Sequence, residues 1–315
     1  MLLKSLMKKE ITMTDPAKKP KIGFIGLGFM GHGIAKNIID KGYALTVLGR
    51  KKREALDDLI GRGATEVKTA KDVATHSDII FLCVTGSHEV EAIFRGDSGL
   101  KQGLKAGSIV VDCSTSDPNS TLALAGELAD LKVDFVDAPL GRTPKEAWAG
   151  TLDTMVGAKD DVFAKLKPVL DTWAGKVVHI GGVGDGHKMK LLNNFLSLGY
   201  GALYAEALAL AAKVGVSPQQ FDSVIRGGRM DCGFYQTFMQ WTLDGNRDAH
   251  KFTIANAFKD LRYLESMADA AGLVNMMGNA TKNSFAVAAA HGSEDYVPML
   301  TDHIARLNNV DLKAK

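Results

Sequence analysis

Lys21-Ile22-Gly23-Phe24-Ile25-Gly26-Leu27-Gly28-Phe29-Met30-Gly31 reads as a short apolar strand running into a glycine-rich turn and a helix. The helix continues through residues 33–40, GIAKNIID, with apolar residues at helical spacing. Gly26, Gly28 and Gly31 each answer a separate demand. The first permits a tight turn, the second lets the main chain approach a pyrophosphate, and the third lets helix and strand pack closely. Leu27, Phe29 and Met30 complete the turn, and the N–H groups of the opening helix attract phosphate. The stretch therefore predicts a dinucleotide site at the first crossover of a doubly wound sheet.

The surrounding sequence repeats that pattern. ALTVL (44–48), DIIFLCV (78–84), SIVVDC (108–113), DFVDAP (134–139) and KVVHI (176–180) read as further strands. Amphipathic stretches separate them, such as SDPNSTLALAGELADL (116–131), which opens with a capping aspartate and a first-turn proline. Alternation of this kind specifies an α/β fold, a Rossmann-type parallel sheet with helices on both faces. After Gly186 the texture changes. A helical pattern runs from His187 to Val214, then Gly215 and Pro218 stop it. PQQFDSVIRGG, FYQTFMQWTL and the stretch from Ile254 to Ala271 are helical too. The reading is an arm over residues 1–20, a dinucleotide-binding domain over 21–183, and an all-α domain over 184–315 that begins with a long interdomain helix.

Composition narrows the function. Hydrophobic residues make up 46% of the 315, charged residues 23%, and the net charge is +2, which argues against a nucleic-acid partner. Cys83, Cys113 and Cys232 have neither metal-site nor disulfide-framework spacing, so we expect no metal and a reducing, cytoplasmic setting. The basic N-terminal stretch lacks the apolar run of a secretory signal, and no later segment has about 18 uncharged apolar residues in a row, so no membrane span is expected.

The second strand bears on the cofactor. An NAD site places an acid at its end, about 20 residues after the glycines, to hold the ribose 2′-hydroxyl. Leu48-Gly49-Arg50-Lys51-Lys52-Arg53 has none. Gly49 with Arg50 favours NADP, with NAD as the alternative, because a guanidinium pairs with a 2′-phosphate. On the long helix, Lys190 and Asn194 are four residues apart and share a face. A partly desolvated lysine there has its pKa lowered toward acid–base use, and the amide can orient a reacting oxygen.

Five segments in order, IGFIGLGFMGHGIAKNI, DCSTSDP, DAPLGRTPKEAWAGTL, GDGHKMKLLNN and FKDL, resemble the β-hydroxyacid dehydrogenases, the family of 3-hydroxyisobutyrate dehydrogenase and tartronate semialdehyde reductase. The resemblance covers residues 21 to about 308. It implies NAD(P)-dependent hydride transfer between a small β-hydroxy acid and its semialdehyde, with Lys190 as acid/base and Asn194 as its helper. It also implies that Val84, Thr85 and Thr115 border the nicotinamide ribose and that Lys259 reaches the cofactor. Thr85 stands where the family usually has proline. Relatives mostly read Ser-Gly-Gly in the substrate loop, where this chain has Gly141-Arg142-Thr143. That variant, with Ser197, looks like sulfolactaldehyde and 4-hydroxybutyrate-type reductases. Arg142 is then expected to anchor a carboxylate or sulfonate, with Ser114, Thr143, Asn193 and Ser197 around it. A small anionic metabolite and a homodimer or homotetramer complete the expectation. An imine reductase and a non-enzymatic NADPH-binding protein are the alternatives, and Lys190 argues against both. His32 reads as a helix-surface residue, and Phe234, Tyr235, Phe238 and Trp241 as core.

Overall fold

The computed structural model describes residues 19–49 and 53–312. The arm expected over residues 1–20 therefore lies, apart from Lys19 and Pro20, outside the described residues, and so does Arg50. The first half runs β1 (Ile22–Ile25), α1 (Phe29–Asp40), β2 (Leu45–Leu48), α2 (Glu54–Gly61), β3 (Thr65–Val67), α3 (Ala70–Thr75), β4 (Ile79–Leu82), α4 (Ser87–Phe94), β5 (Ile109–Asp112), α5 (Pro118–Ala129) and β6 (Asp134–Asp137). These strands are parallel and ordered β3-β2-β1-β4-β5-β6, the doubly wound order. Helices cover both faces, so β1, β4 and β5 are fully buried and apolar throughout apart from the closing Asp112 of β5. Removing one such Ile or Leu side chain from water is worth roughly 1.5–3 kcal/mol.

The sheet continues through β7 (Leu140–Gly141), α6 (Pro144–Ala149), β8 (Leu152–Gly157), α7 (Asp160–Leu170) and β9 (Ala174–Gly181). β8 pairs antiparallel with β6 and β7 and parallel with β9. The sequence reading had omitted β3, β7 and β8. β3 is three residues, Thr-Glu-Val, mostly exposed at the sheet edge, and β7 is only a two-residue pairing. In β8, Thr154 is buried because its hydroxyl donates to the carbonyls of Ala138 and Pro139.

Two contacts fix the geometry that matters later. Helices α1 and α6 touch at Gly33, where an added β-carbon would strike the main chain of Ala147. Four residues on, Asn37 Nδ2 donates to the carbonyls of Gly33 (2.8 Å) and Ala147 (2.9 Å). At the far end of the sheet, the buried Asp137 carboxylate accepts from the backbone N–H groups of Gly184 (2.6 Å) and His187 (2.7 Å). It thereby satisfies the first turn of α8 (Asp185–Lys213) and ties that helix to β6. Burial pushes the Asp137 carboxyl above its ordinary range, against the pull of the His187 charge and these N–H groups. Gly184 sits at φ +92, a left-handed value that favours glycine.

The second half is helical: α8, α9 (Pro218–Ile225), α10 (Gly233–Asp244), α11 (Ile254–Ala270), α12 (Met276–Gly292) and α13 (Leu300–Leu307). Its core gathers Leu191, Leu198 and Leu208 of α8 with Tyr235, Phe238, Leu261 and Phe285. By length and composition alone α8 is apolar enough to cross a membrane, with a mean hydropathy of 1.4 over its most apolar stretch, a test that a core helix of a folded domain also passes. One face of it packs in this core.

Candidate active site

A cleft of about 1700 Å³ opens between the strand ends of the sheet and the helical half. On one side lies the phosphate turn, Gly26 to Gly31. Gly26 has φ +103, and a β-carbon there would meet the Cys83 carbonyl at the end of β4. A β-carbon on Gly31 would strike the carbonyl of Gly26, so only glycine lets α1 start this close to β1. At Gly28, by contrast, a β-carbon would meet nothing within 4 Å. The open space stands over the first turn of α1, and Phe29 leaves its ring 84% exposed at the rim. This cradle fits a dinucleotide pyrophosphate.

Opposite, α8 contributes Lys190, Asn193, Asn194 and Ser197 to the cleft wall. Burial lowers the pKa of the Lys190 ammonium, and Lys259 adds to this, while Asp260 works in the other direction. Asn194 is buried, and its Nδ2 donates to Asp260 Oδ2 at 2.7 Å. The other carboxylate oxygen of Asp260 stands 3.0 Å from Lys259 Nζ. That ammonium also donates to the carbonyls of Thr85 and, at 2.9 Å, Thr115. Lys259, reaching from α11, thus bridges the helical half to the loops after β4 and β5. Ser114 Oγ accepts from the N–H of Val84 at 3.0 Å, which fixes the same two loops together.

The remaining expected residues are placed less simply. Arg142 and Thr143 line the cleft between β7 and α6. Arg142 Nε is 2.9 Å from Asp153 Oδ1, and about half of its side chain is exposed. The Thr143 hydroxyl donates to Glu146 in a capping box that starts α6, and the Ser197 hydroxyl donates to the Asn194 carbonyl. Asn193 is exposed on the cleft wall. Gly49 follows β2 and lies outside the cleft lining.

One expectation is corrected. The end of β2 does have an acid beside it, supplied by the neighbouring strand. A β-carbon on Gly49 would collide with the carboxylate of Glu66 on β3. Reading along β2 alone could not find this contact. Asp260 was visible only inside the FKDL segment, and His250 had no signal at all. The His250 ring lines the cleft between Phe234 and Phe252, edge-on to both at 5.5 and 6.2 Å. Burial, with the Lys190 charge, lowers its pKa to about 4, so the ring is neutral at physiological pH. Tyr235 and Phe238 are fully buried, as their sequence reading expected, whereas His32, read as a helix-surface residue, is half-buried, bonds to Asp58 at 2.8 Å and packs edge-on against Trp148. Phe234 is also a cleft wall, and Trp241 donates to Asp302.

Residues 21–181 match the family model described as the NAD binding domain of 6-phosphogluconate dehydrogenase. Residues 184–301 match the NAD-binding model of NADP-dependent 3-hydroxyisobutyrate dehydrogenase. The chain belongs to the β-hydroxyacid dehydrogenases. This β-hydroxyacid dehydrogenase is similar to 2-(hydroxymethyl)glutarate dehydrogenase of Eubacterium barkeri, 39% identical over 209 residues, 66% of this chain and 69% of that one. It is 31% identical over 297 residues to 2-hydroxy-3-oxopropionate reductase of Escherichia coli, covering 93% of this chain and 98% of the relative. A solved structure of 3-hydroxyisobutyrate dehydrogenase from Mycobacterium tuberculosis with L-serine shares the fold at TM-score 0.81 and 24% identity, over 90% and 99% of the two chains. The protein is therefore an NAD(P)-dependent oxidoreductase acting on a small metabolite.

Proposed function

We propose that this enzyme interconverts a small β-hydroxy acid, or its sulfonate counterpart, and the corresponding semialdehyde, with Lys190 as general acid/base. The observation that carries the reading is Lys190 itself, a lysine in the cleft wall opposite the phosphate turn, with a pKa lowered by burial. Its ammonium has no hydrogen bond or ion pair among the described residues, so its proton is available to a ligand. When bound, the nicotinamide gives or takes the hydride. In reduction Lys190 Nζ donates a proton to the developing alkoxide oxygen, and in oxidation the neutral amine accepts the hydroxyl proton. Asn194, held by Asp260, orients that oxygen. An imine reductase or a non-catalytic NADPH-binding protein would have no use for this lysine.

At the other end of the substrate, the terminal N–H groups of Arg142 would take the acid group, since Nε faces Asp153. Thr143, Asn193, Ser197 and Ser114 would surround it. Val84, Thr85, Thr115 and Lys259 would face the nicotinamide half of the cofactor, and Gly26 to Gly31 its phosphates. NADP is favoured over NAD because the run after Gly49 is cationic. A division at about residue 184, a cytoplasmic setting and a homodimer or homotetramer belong to the same reading. For the oligomer, Leu192, Leu196, Tyr200, Leu203 and Leu210, with Val214 just past the helix end, leave an exposed apolar stripe along α8. Turnover of a panel of C3–C5 semialdehyde acids and sulfolactaldehyde, with NADPH and with NADH, tests the whole. No turnover of any acid in the panel would overturn it.

A further inference from the structure

The Glu66 carboxylate occupies the space where the first side-chain atoms of a residue at position 49 would stand. Its Cδ is 3.0 Å from the ideal β-carbon position of Gly49. In a doubly wound fold that place, the end of β2, faces the adenosine ribose. The parallel register explains how an acid on β3 gets there: Val47 pairs with Glu66 and Leu48 with Val67, and β2 ends there, with Gly49 next in the chain. Gly49 donates its N–H to the Val67 carbonyl (3.0 Å), which holds the glycine beside the glutamate.

Glu66 is not alone. Arg53, at the start of α2, donates from both terminal nitrogens to its two oxygens, at 3.2 and 3.1 Å, and also to Asp57. The guanidinium holds the Glu66 carboxyl below its usual range, so it is charged at neutral pH. Both side chains are open to solvent, Arg53 by 51% and Glu66 by 31%. Exposed ion pairs hold weakly, so either partner can be taken by a ligand of the opposite need.

We propose that the Glu66–Arg53 pair, reaching from β3 and α2 to the end of β2, sets the choice between NADPH and NADH. Glu66 supplies the acceptor for a ribose 2′-hydroxyl that β2 lacks. The same charge opposes a 2′-phosphate, which binds only by drawing Arg53 away from Glu66. The preference for NADP that the cations around Arg50 favour is thereby held down by an acid from the next strand. The inference rests on the dinucleotide site described above and deepens it.

The test is direct binding by calorimetry, with NADP⁺, NAD⁺ and the half-ligands 2′,5′-ADP and 5′-AMP. Glu66→Gln should tighten NADP⁺ and 2′,5′-ADP about 5–10-fold, the scale of one charge acting on a phosphate near the surface, and leave NAD⁺ and 5′-AMP equal or weaker. Arg53→Gln should weaken the phosphorylated pair by a similar factor and spare the others. Melting temperatures near wild type would separate these effects from unfolding. Unchanged or parallel affinities across the four ligands in Glu66→Gln would overturn the proposal while leaving the dinucleotide site intact. Failure of wild type to bind either dinucleotide would overturn both.

Discussion

Arg142 and Asp153 face each other across the β7–β8 pairing, with Nε 2.9 Å from Oδ1, and the arginine is held at φ +77 to do so. A non-glycine residue at positive φ costs roughly 1–2 kcal/mol. Arg142→Gly should remove that strain, offset in part by the greater freedom of glycine in the unfolded chain. Its melting temperature should match or exceed wild type although an ion pair is lost. The KM for an acidic substrate should rise at least about tenfold, equal to roughly 1.4 kcal/mol, with little change for an uncharged analogue. Equal loss with both substrates would mean that the guanidinium serves the loop alone.

Lys190→Ala should lower kcat about 10²–10⁴-fold while the Kd of the cofactor stays within a few-fold. The pH dependence has a definite sign. Because burial lowers the Lys190 pKa from 10.5, the neutral amine needed for oxidation appears below that pH. Oxidation should rise with pH and level off, and reduction should fall through the same midpoint. Lys190→Ala should have neither limb.

Asp260 raises the Lys190 pKa through its charge and also holds Asn194. In Asp260→Asn the midpoint of both limbs should move to lower pH, the direction expected when a stabilising anion is removed. A midpoint moving upward, or not at all, would show that Asp260 acts only through Asn194.

His250 carries a cost that acid reveals. Its folded pKa of about 4 lies below the 6.5 of the unfolded chain. The unfolded state therefore binds the proton first, and stability falls as pH drops from about 6.5 toward 4, by at most roughly 3 kcal/mol. His250→Phe keeps the edge-on contacts with Phe234 and Phe252 and removes the titration. Denaturant melts at pH 7 and 4.5 should show a smaller acid loss in the variant than in wild type.

The exposed stripe on α8 gives a test of assembly. Leu203 is 53% exposed and Leu196 57%. Leu196→Glu combined with Leu203→Glu should yield a monomer by light scattering, because two charges cannot be buried in an apolar interface without partners. An unchanged mass for the double variant would place the interface elsewhere.

What could be read in the sequence was what depends on local pattern. The β1–α1 turn is dictated by its own glycines, and α8 by an apolar period sustained over a 29-residue helix. Lys190 and Asn194 share a face by helix geometry alone. The contacts that complete the site join residues far apart in the chain, and no local signal marks them. Asn194 and Asp260 are separated by 66 positions, and Lys259 and Thr115 by 144. Glu66 reaches Gly49 only because β3 lies beside β2, and β3 itself is too short and too polar to be recognised. Arg142 stood out in its loop, but Asp153, whose carboxylate it meets, carried no local signal.

The α1–α6 junction has a mechanical consequence. Gly33 leaves no gap against Ala147, and the Asn37 amide clasps both carbonyls. The turn that would receive phosphate opens α1 and the loop that would receive the substrate's acid group opens α6, so this clasp between the helices ties the two loops together. The separation between the two loops is thereby held by buried contacts, Gly33 packed on the main chain of Ala147 and the Asn37 amide across both carbonyls.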